Sequence, residues 1–171
     1  NILIHTGGKS IDEAKKTVAI VKEYGVQSDF IDGDLADIKT IDKIKSAAEK
    51  LGAPSVLINN AGLLLDNRLG SIQYDTIEMQ FQVNALGALR ITEGLIPNLR
   101  TNAKVALISS RMGSIDDNSS GGRYGYRMSK AALNAAGKSL AIDLKPKKIA
   151  VGIYHPGLVS TDMIGGIGDI S

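Results

Sequence analysis

Short apolar runs alternate with amphipathic stretches along the whole chain, and this alternation limits the fold more than any other feature. Ile2-Leu3-Ile4, Val26–Ile31, Val56-Leu57-Ile58, Val105–Ser109 and Ile149–Tyr154 each read as a strand. Runs of this kind suit strands covered on both faces, as in parallel sheets. Between them lie helices. Ile11, Ala14, Val18 and Val21 share one helical face, which opens on the capping-box pair Ser10 and Glu13 and stops near Tyr24 and Gly25. Ile38, Ile41, Ile44, Ala48 and Leu51 mark a second helix, ended by Gly52 and Pro54. A long helical region runs from about Ile72 to Leu99, broken near Gly70 and loosened near Pro97, and a last helix occupies Tyr124–Leu144. Strand–helix alternation of this order builds an α/β fold: a doubly wound parallel sheet with helices on both faces. The 171 residues suit one domain, and neither a linker nor an internal repeat interrupts them.

In such sheets ligands bind outside the carboxyl ends of the strands. The polar and Gly-rich turns all fall there: Thr6–Lys9, Asp34-Leu35, Asn59–Gly62, Ser109-Ser110 and His155–Thr161. Any one of them could be a plain connection. Five together describe a crevice.

The most chemical stretch runs from Ser109 to Gly137. Its helix carries Tyr126 and Lys130, four apart and therefore on one face. A nearby cation favours the phenolate, so the spacing predicts that Lys130 lowers the phenol from its ordinary pKa of about 10. A tyrosine tuned this way can give or take a proton near neutral pH. Ser109 or Ser110 would hold the oxygen that receives it. By itself a Tyr-x-x-x-Lys pair is ordinary surface decoration, with the lysine stem lying on the ring.

Charge and composition exclude several other functions. The net charge is +2 and the basic residues are scattered, which does not fit a nucleic-acid surface. Lys145-Pro146-Lys147-Lys148 suits a helix end. No run is long and apolar enough to span a membrane, and no secretory signal is read. Without Cys there is neither a disulfide framework nor a thiolate metal site, which fits a cytoplasmic setting. Gly8-Lys9-Ser10 ends like a nucleotide-binding P-loop, but that loop needs a Gly where Leu3 stands.

Taken in order, Gly33-Asp34-Leu35, Asn59-Asn60-Ala61-Gly62, Val83-Asn84-Ala85-Leu86-Gly87, Ser109-Ser110, Tyr126-x-x-x-Lys130 and Pro156-Gly157 followed by Thr161 resemble the short-chain dehydrogenase/reductases. These are nicotinamide-dependent oxidoreductases on a Rossmann-type sheet. Ser110-Arg111-Met112-Gly113-Ser114 and Tyr126-Arg127-Met128-Ser129-Lys130 look closest to the C-factor and sniffer-like carbonyl reductase branch.

The resemblance implies roles. Tyr126 would be the acid–base, and Lys130 would lower its pKa and bind the nicotinamide ribose. Ser110 would orient the substrate oxygen, and Asn84 would hold a water in a proton relay behind Lys130. Ser110 is preferred to Ser109 because Gly113 falls where the family's glycine does, although Asp116–Gly122 lengthens the interval to Tyr126. Asp34 and Leu35 would meet the adenine. Asn60, Ala61 and Gly62 would pass close to the ribose. Pro156, Gly157, Val159 and Thr161 would line the carboxamide and its phosphate. At Thr6 the first visible strand ends without an acid to bind a ribose 2′-hydroxyl, so NADP(H) is expected over NAD(H). Lys9 there is either a phosphate contact or a solvated turn residue. The substrate would be a small carbonyl compound or alcohol. Ala131, Ala132, Ala135, Ala136 and Gly137 offer a small-residue helix surface, either core packing or the contact of a homodimer or homotetramer.

One part of the pattern is missing. The family opens with a strand, a Gly-rich turn and a helix, and that strand sits mid-sheet. Its absence here implies a fragment with two strand edges facing a gap. The alternative to a reductase is a binding or scaffold protein that keeps the fold without its cofactor loop.

Overall fold

The computed structural model describes residues 1–7, 11–65, 67–160, 163 and 165. The apolar runs become five parallel strands: β1 (Ile2–Thr6), β2 (Ser28–Asp32), β3 (Val56–Asn59), β4 (Lys104–Ile108) and β5 (Ala150–Tyr154). Helices α1 (Ile11–Glu23), α2 (Ile38–Leu51), α3 (Tyr74–Phe81), α4 (Ala88–Leu95) and α5 (Tyr124–Asp143) connect them. A parallel pair cannot be closed by a hairpin, so each crossover needs a helix-length connection. This is the expected Rossmann-like α/β architecture, with helices on both faces.

The strands form two sheets, and the division falls where the expected gap lies. β1 pairs with β2 in the register Ile2↔Ser28 to Thr6↔Asp32. β3 pairs with β4 from Val56↔Lys104, and β4 with β5 from Lys104↔Ala150. Among the described residues β1 and β3 are not paired. Helix packing joins the halves instead. Leu35, Ile41, Ile44, Ala48, Ile91 and Leu95 form one apolar cluster, against which Leu3, Ile31 and Leu57 pack from both sheets. A second cluster gathers Val105, Leu107, Leu133, Leu140, Leu144 and Ile149 beneath α5. The opposite face of the three-stranded sheet is open: Val56 is 53% exposed and Ile58 62%.

Several boundaries moved for local reasons. The second strand begins at Ser28, two residues later than expected, because Ser28 Oγ donates to Val18 O and fixes the α1–β2 turn. The helix expected over 72–99 starts only at Tyr74, since Gly70 turns with φ +90°, and it stops at Leu95, ahead of Pro97. Its middle is a π-helical turn, Gln82–Gly87, invisible in the apolar pattern. Gly137 also departs from the small-residue surface. A Cβ there would meet Leu107 Cδ1 at 2.7 Å and Ile153 Cδ1 at 2.8 Å, so this glycine faces the sheet.

Candidate active site

α5 delivers Tyr126 and Lys130 to one place, as their spacing requires. Both are almost fully buried, at 8% and 3% exposure. Lys130 Nζ lies 5.7 Å from the centre of the Tyr126 ring and donates to Ile108 O at 2.8 Å, at the carboxyl end of β4. The two serines differ in what they touch. Ser109 Oγ donates to Asn134 Oδ1 at 2.6 Å, which commits it to packing α5 on β4. The Ser110 hydroxyl instead lies near enough to the Tyr126 phenol to draw its pKa down. Ser110 Oγ also accepts from Met112 N at 3.2 Å, capping the single 3₁₀ turn Arg111–Gly113. Gly113 lets that turn press onto α5: a Cβ would stand 2.8 Å from the backbone carbon of Lys130.

Asn84 enters from the π-helical turn, 1% exposed. Its Oδ1 accepts from Leu63 N at 2.7 Å, and its Nδ2 donates to Leu63 O at 2.8 Å and to Ser129 Oγ at 2.9 Å. Ser129 Oγ donates in turn to Tyr126 O at 2.9 Å. Both amide hydrogens are thus used, and among the described residues Oδ1 accepts one of the two bonds it can take. Gly62 closes the ring. A Cβ on it would come within 3.7 Å of Lys130 Nζ and 3.8 Å of Asn84 Oδ1. Side chains from three separate segments, and the backbone of Gly62 from a fourth, therefore meet beside the end of β4.

Comparison with known proteins gives the family. A family model described as short chain dehydrogenase matches residues 3–169. The chain belongs to the short-chain dehydrogenase family. It is 49% identical over 117 residues to the C-signal protein of Myxococcus xanthus, covering 67% of this chain and 70% of that one. It is 38% identical over 131 residues to 1-hydroxy-2-glutathionyl-2-methyl-3-butene dehydrogenase of Rhodococcus sp. strain AD45, covering 74% and 58%. Among solved structures, the carbonyl reductase Sniffer of D. melanogaster superposes with a TM-score of 0.88 at 29% identity, covering 98% of this chain and 73% of that one. A short chain dehydrogenase from Burkholderia cenocepacia J2315, solved in complex with NADP, also gives 0.88 at 29%, covering 95% and 66%. The chain thus spans between about three-fifths and three-quarters of these relatives' lengths.

For a short-chain dehydrogenase site, the electrostatics depart from the sequence expectation. Burial pushes the Tyr126 phenol above its ordinary value, and the Ser110 hydrogen bond and the Arg123 charge pull it back only in part. Lys130 is not among the groups that shift it. Burial lowers Lys130 itself to about 8, because a desolvated ammonium is costly. The tyrosine is therefore neutral at pH 7, a state that can donate a proton.

The remaining expected residues are spread along the strand ends. Thr6 is buried at the end of β1, where its carbonyl accepts from Gly33 N at 3.0 Å. Asp34 is exposed and caps its own turn through Ala36 N at 2.8 Å. Leu35 differs from the expectation of an adenine contact: its side chain lies in the apolar cluster with Ile41 and Ile91, leaving only its backbone for a ligand. Asn60 and Ala61 are exposed after β3. Pro156 is exposed, Gly157 turns with φ +88°, and Val159 is half-buried. Thr161 and Lys9 lie outside the described residues.

Four residues near the site escaped the sequence reading: Asn67, Gln80, Arg123 and Ser129. Each is polar and unremarkable in sequence. Ser129 was detectable only as the residue before Lys130 on an otherwise small-residue helix, and the others gave no signal.

Proposed function

We propose that this domain belongs to an enzyme that reduces a small carbonyl compound, or oxidises the matching alcohol, with NADP(H) as the nicotinamide cofactor. The observation that carries this reading is a buried phenol with Lys130 Nζ 5.7 Å from its ring centre and the Ser110 hydroxyl near its oxygen. The residues present suit a nicotinamide ribose. Gly62 brings backbone close to Lys130 Nζ, which would lie only 3.7 Å from a Cβ there. Among the described residues Nζ makes one hydrogen bond, to Ile108 O, of the three an ammonium can donate, so donors remain for ribose hydroxyls.

When bound, the cofactor supplies or accepts the hydride. Every other part of the chemistry falls to the chain. Ser110 Oγ holds the substrate oxygen, and Tyr126 gives that oxygen a proton in reduction and takes it back in oxidation. Lys130 holds the ribose and places a cation near the phenolate as it forms. Asn84 fixes the backbone of Leu63, and so the loop after Gly62, against α5. Preference for NADP(H) is supported by the absence of an acid at the end of β1 and by the NADP bound to the Burkholderia relative.

A homo-oligomer is part of the proposal. Met128, Ala135 and Ile142 recur at heptad spacing on the outer face of α5, and all three are exposed. Such a stripe suits a helix contact with a second copy.

The test is titration with NADPH followed by nicotinamide fluorescence. It is run on the chain and on a version extended by a Gly-rich strand–turn–helix that fills the gap between β1 and β3. Binding by the extended version, with turnover on a panel of small carbonyl compounds, is the expected result. No binding by the extended version would overturn the enzyme reading.

A further inference from the structure

The helix that carries Tyr126 begins badly. Gly121, Gly122 and Arg123 all lie in the left-handed region, with φ of +62°, +61° and +50°. For Arg123 that conformation is strained, and it persists only where surrounding contacts impose it. Arg123 occupies the N-cap position of α5 and makes no side-chain cap bond. The first N–H groups of a helix have no partner within it, and a buried start without caps is destabilised.

The missing cap comes from far away in sequence. Asn67 Oδ1 accepts from Gly125 N at 3.2 Å, from 58 residues upstream, and the Asn67 carbonyl accepts from Arg123 N at 2.8 Å. Asn67 thus does for Gly125 what an N-cap side chain does for the second residue of a helix. It is held rigidly itself. Its Nδ2 donates to Thr76 Oγ1 at 2.8 Å, and its Oδ1 accepts from Gln80 Nε2 at 3.3 Å. Gln80 Oε1 accepts from Leu65 N at 3.0 Å. Asn67 and Gln80 are 1% and 0% exposed, so these bonds do not compete with water. Contact is too close for any side chain at Gly125, where a Cβ would stand 2.9 Å from Asn67 Oδ1 and 3.1 Å from Ile77 Cα. Tyr126 is the next residue.

We propose that Asn67, braced by Gln80 and Thr76, is a positioning residue for Tyr126: a detached N-cap that sets the start of α5 and so keeps the phenol within reach of Ser110. The inference rests on the reading of Tyr126 as the proton donor, but its test needs neither cofactor nor turnover. Failure of one is therefore distinguishable from failure of the other.

The measurement is the titration of Tyr126 by ¹³Cζ-tyrosine NMR on the full chain, with its signal assigned by Tyr126→Phe. In the parent chain Ser110→Ala should raise the titration point, because the hydrogen bond that lowers it is gone. In Asn67→Leu the same Ser110→Ala change should have no effect, because phenol and hydroxyl are already parted. Asn67→Asp keeps the acceptor at a helix start that favours negative charge and should retain the Ser110 effect. Amide exchange at Gly125 should quicken about fivefold in Asn67→Leu, the factor equivalent to a cap worth ~1 kcal/mol, with Leu133 unchanged. An undiminished Ser110 effect in Asn67→Leu would overturn the proposal, as would its loss in Asn67→Asp. Should Asn67→Leu not fold, Gln80→Met decides: it leaves the carboxamide but removes its brace. A weakened Ser110 effect there supports the proposal, and an undiminished one rejects it.

Discussion

Asn84 Nδ2 donates to Ser129 Oγ at 2.9 Å, and this one bond ties the π-helical turn to the helix that carries Tyr126 and Lys130. A regular α-helix through 74–95 would rotate the residues after the insertion by a fraction of a turn. π-turns inside longer helices often mark functional sites for this reason. Here the insertion aims a carboxamide at both the loop after Gly62 and α5.

Replacing Asn84 by Ala should cost about 2–4 kcal/mol in urea unfolding. It leaves the N–H and carbonyl of Leu63 without partners in a largely buried setting, each worth ~1–3 kcal/mol. A cost below about 1 kcal/mol would show that water replaces the carboxamide.

Lys130 gives stability an unusual pH dependence. The unfolded chain keeps its proton up to about 10.5, while the folded chain releases it at about 8. Between those values the unfolded state binds more protons, so stability rises with pH, by up to about 3 kcal/mol. Tyr126 acts in the opposite sense. Its folded pKa is raised, so its contribution is present below pH 10 and is lost as pH climbs through the folded value. Urea unfolding of the parent chain should therefore strengthen from pH 8 towards 10 and then level or fall, and Lys130→Met should lack the rise.

Gly113→Ala should cost ~1–3 kcal/mol and disturb Ser110, since the added methyl meets the backbone of Lys130 and Asn134 Nδ2 at 2.9 Å. Gly7→Ala is the matched control. Among the described residues nothing lies within 4 Å of a Cβ there, so stability should change by less than about 0.5 kcal/mol. Thermal unfolding of both variants distinguishes a packing requirement from a general intolerance of alanine.

Ile142→Lys should leave the monomer's stability within about 0.5 kcal/mol, because the side chain is 61% exposed. It should lower the assembly state seen by sedimentation if the outer stripe of α5 pairs copies of the chain. Unchanged sedimentation would remove that stripe as the contact.

Much of this was legible in the residues, for physical reasons that differ by element. β3 to β5 could be read from Val56-Leu57-Ile58, Val105–Ser109 and Ile149–Tyr154 because strands of parallel sheets carry unbroken apolar runs, although Val56 and Ile58 are exposed here. Tyr126 and Lys130 could be paired because four residues make about one helical turn. The sense of the phenol's shift was not legible. Spacing shows a neighbouring cation but not the depth at which both groups are buried, and at this depth desolvation outweighs the lowering by Ser110 and by the Arg123 charge. Asn67 and Gln80 were equally hidden, since a carboxamide in a core and one on a surface are the same letter. Leu35 is a motif position whose side chain serves the core, which its place in the motif did not reveal.

The central claim is that Tyr126 supplies the proton, and one variant tests it most directly. In the chain extended to fill the gap between β1 and β3, Tyr126→Phe should bind NADPH with the parent's affinity while carbonyl reduction falls by about 10²-fold or more, the scale of lost acid catalysis. Turnover equal to the parent's would contradict the account.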